Sequence, residues 1–168
     1  NPSKATPEQL TAARAAHEVV IARVPGSVWA GRSQLAIGSL YAMQKEYAKA
    51  REAYALVLQN YNALKGLCLT ARVAASATHE LEQHWTEAIS AYRDIADYHP
   101  WAVPGLEAPL YIARLYEQQQ ETDVATKAYE RAIRIYNKLL LDAPSPELAT
   151  HVKGFLVVAD QRLGKWDD

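Results

Sequence analysis

Leu35-Ala36-Ile37-Gly38-Ser39-Leu40-Tyr41, followed shortly by Tyr47-Ala48-Lys49-Ala50-Arg51-Glu52-Ala53-Tyr54, is the stretch on which the fold turns. Tyr54 and Val57 stand four and seven residues after Ala50. The same offsets lead from Ala88 to Tyr92 and Ile95, and from Ala125 to Tyr129 and Ala132. Ala88 lies 38 residues after Ala50 and Ala125 lies 37 after Ala88, one helix-turn-helix unit each time. Tyr41 and Tyr116 precede the first and third alanines by nine residues, behind Ile37-Gly38 and Ile112-Ala113. Tyr47 and Trp85 precede the first two by three.

Two short antiparallel helices need small side chains where their backbones approach, and Gly38, Ala50, Ala88, Ala113 and Ala125 supply them. Tyr41, Tyr54, Tyr92, Tyr116 and Tyr129 then fill the space between one hairpin and the next. One hairpin cannot bury such a face alone, so the units must stack. The tyrosines are therefore expected to be packing residues rather than platforms for a cofactor or a base.

Helices are predicted at 7–24, 28–44, 47–60, 65–82, 85–98, 105–119, 122–141 and 146–163. Thr6, Ser27 and Ser145 read as N-caps, with Thr6-Pro7-Glu8-Gln9 as a capping box. Pro25-Gly26-Ser27, Asn60-Tyr61-Asn62, His99-Pro100 and Asp142-Ala143-Pro144-Ser145-Pro146 break the pattern.

The arrangement Leu-x-x-Gly-x-x-Tyr, then Tyr-x-x-Ala-x-x-x-Tyr, with a proline near the end of the unit, resembles the tetratricopeptide repeat over essentially the whole chain. The resemblance implies an all-α fold, an α-solenoid wound as a right-handed superhelix. The expected organisation is a single array over 1–168. It comprises a half repeat at 7–24, repeats at 28–62, 65–100 and 105–143, the last with an extended second helix, and a truncated repeat at 146–168. Helix 7–24 carries Ala13, His17 and Val20 at the spacing of Ala50, Tyr54 and Val57, and so reads as the second helix of a repeat. Leu163-Gly164-Lys165-Trp166-Asp167-Asp168 reads as a turn between helices. Both ends thus fall inside a repeat, as in a piece of a longer array, with apolar faces open at Ala13/Val20 and Leu156/Trp166. Three departures stand out. Lys45, Gln83 and Gln120 occupy turns where the family usually has glycine, His79 replaces the tyrosine of Tyr41 and Tyr116, and 44 residues separate Thr122 from its counterpart Trp166.

Composition excludes several functions. The 18 basic residues are scattered among 19 acidic ones for a net charge of −1, which argues against a nucleic-acid surface. No apolar run is long enough for a membrane span, so no direct membrane insertion is expected. Cys68 is the single cysteine, flanked by Leu67 and Leu69, and is expected to be a core thiol. A soluble protein of either the cytoplasm or the periplasm fits these features. His79-Glu80-Leu81-Glu82-Gln83-His84 approaches the zinc-protease pattern but has one residue too many. On a helix, positions five apart diverge by about 140°, and the stretch also crosses the turn expected before Trp85. No metal site, no cofactor and no catalytic residue is therefore expected. There is no nucleophile elbow or phosphate-cradling glycine loop, and His17, His99 and His151 are isolated.

The resemblance implies that the first helix of each hairpin lines a concave groove for a partner segment. The groove residues are then Arg32, Leu35, Ala36, Ser39 and Met43 in the first full unit. The next contributes Val73 and Ala77, beside Thr70 and Ala74, and the third Leu110, Tyr111, Arg114 and Gln118, beside Glu107. Some relatives clamp a C-terminal carboxylate with asparagines and lysines. Here those places hold Ala36, Ala74, Tyr111, Ser39 and Ala77, and only Arg114 suits an anion. A groove for an apolar segment or a helix of a protein or peptide partner is expected instead. The expected function is a non-catalytic protein–protein interaction scaffold in a multiprotein assembly. The alternative is a self-associating or spacer module, a homo-oligomer forming through the array ends. The stretches Ala22–Ser27 and Asp97–Gly105, with a proline just past the second helix, look like the repeats of bacterial cell-envelope scaffolds.

Overall fold

In the computed structural model, which describes residues 5–164, short turns join α1 (Pro7–Arg23), α2 (Val28–Met43), α3 (Tyr47–Asn60), α4 (Lys65–Leu81), α5 (Trp85–Tyr98), α6 (Val103–Gln118), α7 (Thr122–Leu141) and α8 (Pro146–Arg162). No strand occurs among the described residues. Helix limits fall within two residues of those expected. The largest difference is at α6, which begins at Val103 and takes Pro104 into its first turn, where no N–H is needed. Trp166, Asp167 and Asp168 lie outside the described residues. No described helix is long and apolar enough to cross a membrane.

The expected caps form. The Gln9 amide donates to Thr6 Oγ1 at 3.3 Å, and the Thr6 amide donates back to Gln9 Oε1 at 2.9 Å. Ser27 Oγ accepts from the Ala30 amide at 3.1 Å, and Ser145 Oγ from the Leu148 amide at 3.3 Å.

The turns that lack the family's glycine use its geometry nonetheless. Lys45, Gln83 and Gln120 have φ of 60°, 59° and 61°. At each, the next residue's amide reaches back five residues: Glu46 to the Tyr41 carbonyl at 2.9 Å, His84 to His79 at 2.9 Å and Glu121 to Tyr116 at 3.0 Å. The left-handed residue itself donates three back, to Ala42, Glu80 and Glu117. This double bond pattern closes a helix end and releases the chain directly into the next helix.

Between Ala88 and Ile89 the chain divides into two compact units. In the first, α2 packs against α1, α3 and α4. Ala50, Tyr54, Val57 and Ala71 are buried together, with Leu35, Tyr41 and Leu67 half-buried against them. Gly38 is obligatory here, because a Cβ at that position would lie 2.3 Å from the Tyr54 ring. The buried Gln34 amide donates to the Ala53 carbonyl at 3.1 Å. Cys68 is half-buried, and its thiol donates to the Tyr61 carbonyl at 3.4 Å.

In the second unit α7 packs against α6 and α8, and α6 touches α8. Leu106, Leu110, Ala113, Tyr129, Ala132, Tyr136, Val152 and Ala159 form the core. α7 has 20 residues against 14 in α3. The added turns carry Tyr136, which is wholly buried, stacks near Phe155 and donates its hydroxyl to the Leu106 carbonyl at 2.6 Å.

Two stability outcomes follow. Left-handed backbone costs an L-residue about 1–2 kcal/mol, partly offset by the added freedom of unfolded glycine, so Lys45→Gly, Gln83→Gly and Gln120→Gly each stabilise by about 0.5–1 kcal/mol in denaturant unfolding. Gly38→Ala destabilises by about 1–3 kcal/mol through overpacking against Tyr54, whereas Gly154→Ala, in open space on α8, stabilises by about 0.5–1 kcal/mol.

Candidate functional site

Glu107, Leu110, Tyr111 and Arg114 recur three or four residues apart and so share one face of α6, and Phe155, Val158 and Arg162 do the same on α8. With Tyr129 of α7 they line a crevice of about 210 Å³ in the second unit. Leu110, Phe155 and Val158 supply apolar surface. Tyr111 stacks on Tyr92 with ring centroids 5.5 Å apart, and the Arg114 guanidinium lies over the Tyr111 ring at 4.3 Å. Stacking on aromatic carbon holds this cation in place without neutralising it. Among the described residues Arg114 has no carboxylate at ion-pair distance, while Arg162 lies 4.0 Å from Glu117.

Tyr129 is only 2% exposed; its buried hydroxyl lacks a close, well-aligned partner among the described residues and faces the Glu117 carboxylate. Burial, reinforced by the nearby Glu117 carboxylate, pushes its phenol up to about 12. The repeat register explains the missing partner. Tyr54, 75 residues earlier, donates its hydroxyl to Ser39 Oγ at 3.4 Å. The position matching Ser39 is Arg114, and a guanidinium has no lone pair to accept with. The crevice thus joins an apolar lining to the Arg114 cation, a combination suited to an apolar side chain with an acidic end.

The expected groove residues are divided by the structure. Leu110, Tyr111 and Arg114 meet in this crevice; Leu110, 7% exposed, is part of its floor and of the core. Gln118 is exposed at the end of α6. In the first unit Arg32 is exposed with its guanidinium 5.5 Å from the Trp29 ring, and Met43 and Ser39 are also exposed. Ala36, Val73 and Ala77 are half-buried, and Leu35 is held in the core cluster by packing. A second crevice, of about 500 Å³, lies among α1, α2 and α3. From α2 it takes Gln34, Ile37 and Tyr41, not the expected groove residues.

Phe155, Val158 and Arg162 are site residues that the sequence reading does not single out, and Tyr129 is read there only as a packing residue. The signal for three of them was present: the 44-residue step carries Tyr111, Arg114 and Gln118 onto Phe155, Val158 and Arg162.

One expectation is corrected. His79 and His84 do not diverge: their ring centroids are 6.4 Å apart, with Glu82 beside them. The 140° divergence holds for a straight helix, but α4 ends at Leu81 and the left-handed residue Gln83 swings His84 back. Burial and the neighbouring Arg51 guanidinium hold the His79 imidazole below its ordinary value.

Antiparallel helical hairpins with small residues at the crossings define a helical-repeat protein. Within that class, residues 32–61 and 107–144 match the tetratricopeptide repeat family, which supports assigning the repeats to it. Its repeats generally mediate protein–protein interactions and are typically non-catalytic. No curated protein matches the chain.

Tyr129→Phe is expected to leave stability unchanged or raise it, because it deletes a buried hydroxyl that lacks a close, well-aligned partner. Tyr136→Phe, which breaks a buried hydrogen bond, costs about 1–3 kcal/mol. The pH dependence has a definite sign. The folded Tyr129 phenol sits near 12 and the unfolded one near 10.0, so its contribution is intact below pH 10 and lost between pH 10 and 12. Denaturant unfolding across that range is less pH-dependent in Tyr129→Phe.

Proposed function

We propose that the chain is a non-catalytic scaffold that binds a segment of a protein partner in the α6–α8 crevice, within a multiprotein assembly. The observation that carries this reading is the crevice itself, with Leu110, Phe155 and Val158 as its apolar lining and the Arg114 guanidinium, stacked on Tyr111, at its rim. Leu110, Phe155 and Val158 fit an apolar anchor of a helix or extended segment, and Arg114 fits an acidic group beside it. Gln118 is proposed to extend the crevice along α6, and Arg32, Ala36, Ser39, Met43, Val73 and Ala77 are proposed as a binding face of the first unit on α2 and α4. The likeness of the Ala22–Ser27 and Asp97–Gly105 stretches to envelope-scaffold repeats supports a bacterial envelope assembly as the setting.

A second reading has its own observation. Val19, Val24 and Val28 are exposed around the α1–α2 turn, as is Trp29 at 65%. Such a patch suits self-association.

Affinity capture from the native extract separates the two. With the crevice as the site, Tyr111→Ala, Phe155→Ala and Arg114→Glu each reduce partner capture at least tenfold, and Trp29→Ser leaves it intact. Capture unaffected by all three crevice changes refutes the crevice reading. Light scattering over a dilution series tests self-association, which a concentration-independent monomer rules out.

A further inference from the structure

We infer that His79, Glu82 and His84 form a binding site for one divalent transition-metal ion at the turn between α4 and α5. One ligand atom from each residue lies within 4.8 Å of the others. In a zinc site with bonds of about 2.0–2.2 Å, tetrahedral ligands stand roughly 3.4 Å apart. The gap is therefore small, and side-chain rotation of the exposed His84 and of Glu82 closes it. The backbone already has the required shape. The His84 amide donates to the His79 carbonyl at 2.9 Å, which fixes the two histidines across the turn.

The ligands are poised differently. His79 Nδ1 is buried without a hydrogen-bond partner among the described residues, so one imidazole nitrogen of the cluster is uncommitted there. Glu82 Oε2 lies 3.7 Å from His84 Nδ1 and is paired with the Arg51 guanidinium, which also donates to Thr78 Oγ1 at 3.1 Å. Arg51 thus fixes the carboxylate through the same oxygen that faces His84, as partners of metal ligands do. Its positive charge opposes a cation, so the site depends on nitrogen ligands. Two imidazoles and one carboxylate select zinc, cobalt, nickel or copper over magnesium and calcium. Three protein ligands leave a fourth position for water or for a donor from a partner. Bound metal would join the end of α4 to the start of α5 and stiffen the turn.

The test uses the untagged full chain, titrated with zinc by calorimetry and with cobalt by visible absorption. One ion per chain is expected, with a zinc-dependent rise in melting temperature and no response to magnesium or calcium. His84→Ala, at an exposed position that leaves the turn's backbone bonds in place, abolishes both the stoichiometric binding and the thermal shift. Glu82→Gln and His79→Ala weaken binding at least tenfold. His151→Ala, at an exposed histidine on α8, changes nothing. Absence of saturable binding in the wild-type chain, or undiminished binding in His84→Ala, overturns the assignment. Calcium binding as tight as zinc overturns the nitrogen ligation.

Discussion

A chain that packs helices of about four turns into antiparallel pairs must reverse direction within very few residues. Here each hairpin does so through one left-handed residue, Lys45, Gln83 or Gln120, and a pair of amides returning to the preceding helix. Because the reversal is tight, the second helix starts at a fixed distance and angle from the first. That in turn decides which side chains meet. Ala50 and Ala88 lie where backbones approach, and both are fully buried. Gly38 leaves the space that the Tyr54 ring fills. The turns and the small residues are therefore parts of one constraint. A change of turn geometry would move each tyrosine off the cleft it occupies.

The second unit shows how the same constraint accommodates an irregular repeat. α7 runs past the length of α3 and α5, and its added turns are held by Tyr136 rather than by the repeat's own pattern. The Tyr136 hydroxyl reaches the Leu106 carbonyl on α6, three residues before Pro109 interrupts that helix's amide ladder. Phe155 of α8 stacks beside the same ring. One phenol thus links all three helices and positions the α8 face that completes the crevice.

Much of this was legible in the sequence, and what was not has a physical reason. Helix positions follow from periodicity, proline breaks and the Thr6, Ser27 and Ser145 caps, all of which act locally. Leu110, Tyr111 and Arg114 were reachable because a first-helix register places them on one face. Leu35 shows the limit of that reasoning, since a residue on the right face can still be held by the core beneath it. The convergence of His79 and His84 was missed because the rule of about 140° describes a continuous helix, whereas Gln83 stands in a turn, and its left-handed backbone sets the direction of His84. A rule based on helix spacing fails wherever the helix stops.

Tyr129 shows how divergence between repeats creates a site. Repeat packing requires a large aromatic ring at this position and at Tyr54, and it settles only the ring. The hydroxyl must be satisfied by whatever the first helix presents, and Ser39 does so for Tyr54. With Arg114 in the equivalent place, the acceptor is lost and a cation is gained, held over Tyr111 by its ring. One change of residue type thus replaces a hydroxyl acceptor with a cation in the same crevice. A stable repeat tolerates this arrangement, because the ring's burial outweighs the hydroxyl's desolvation. The surplus polarity is then available to a ligand, and its location marks this repeat as chemically distinct from the repeat of Tyr54.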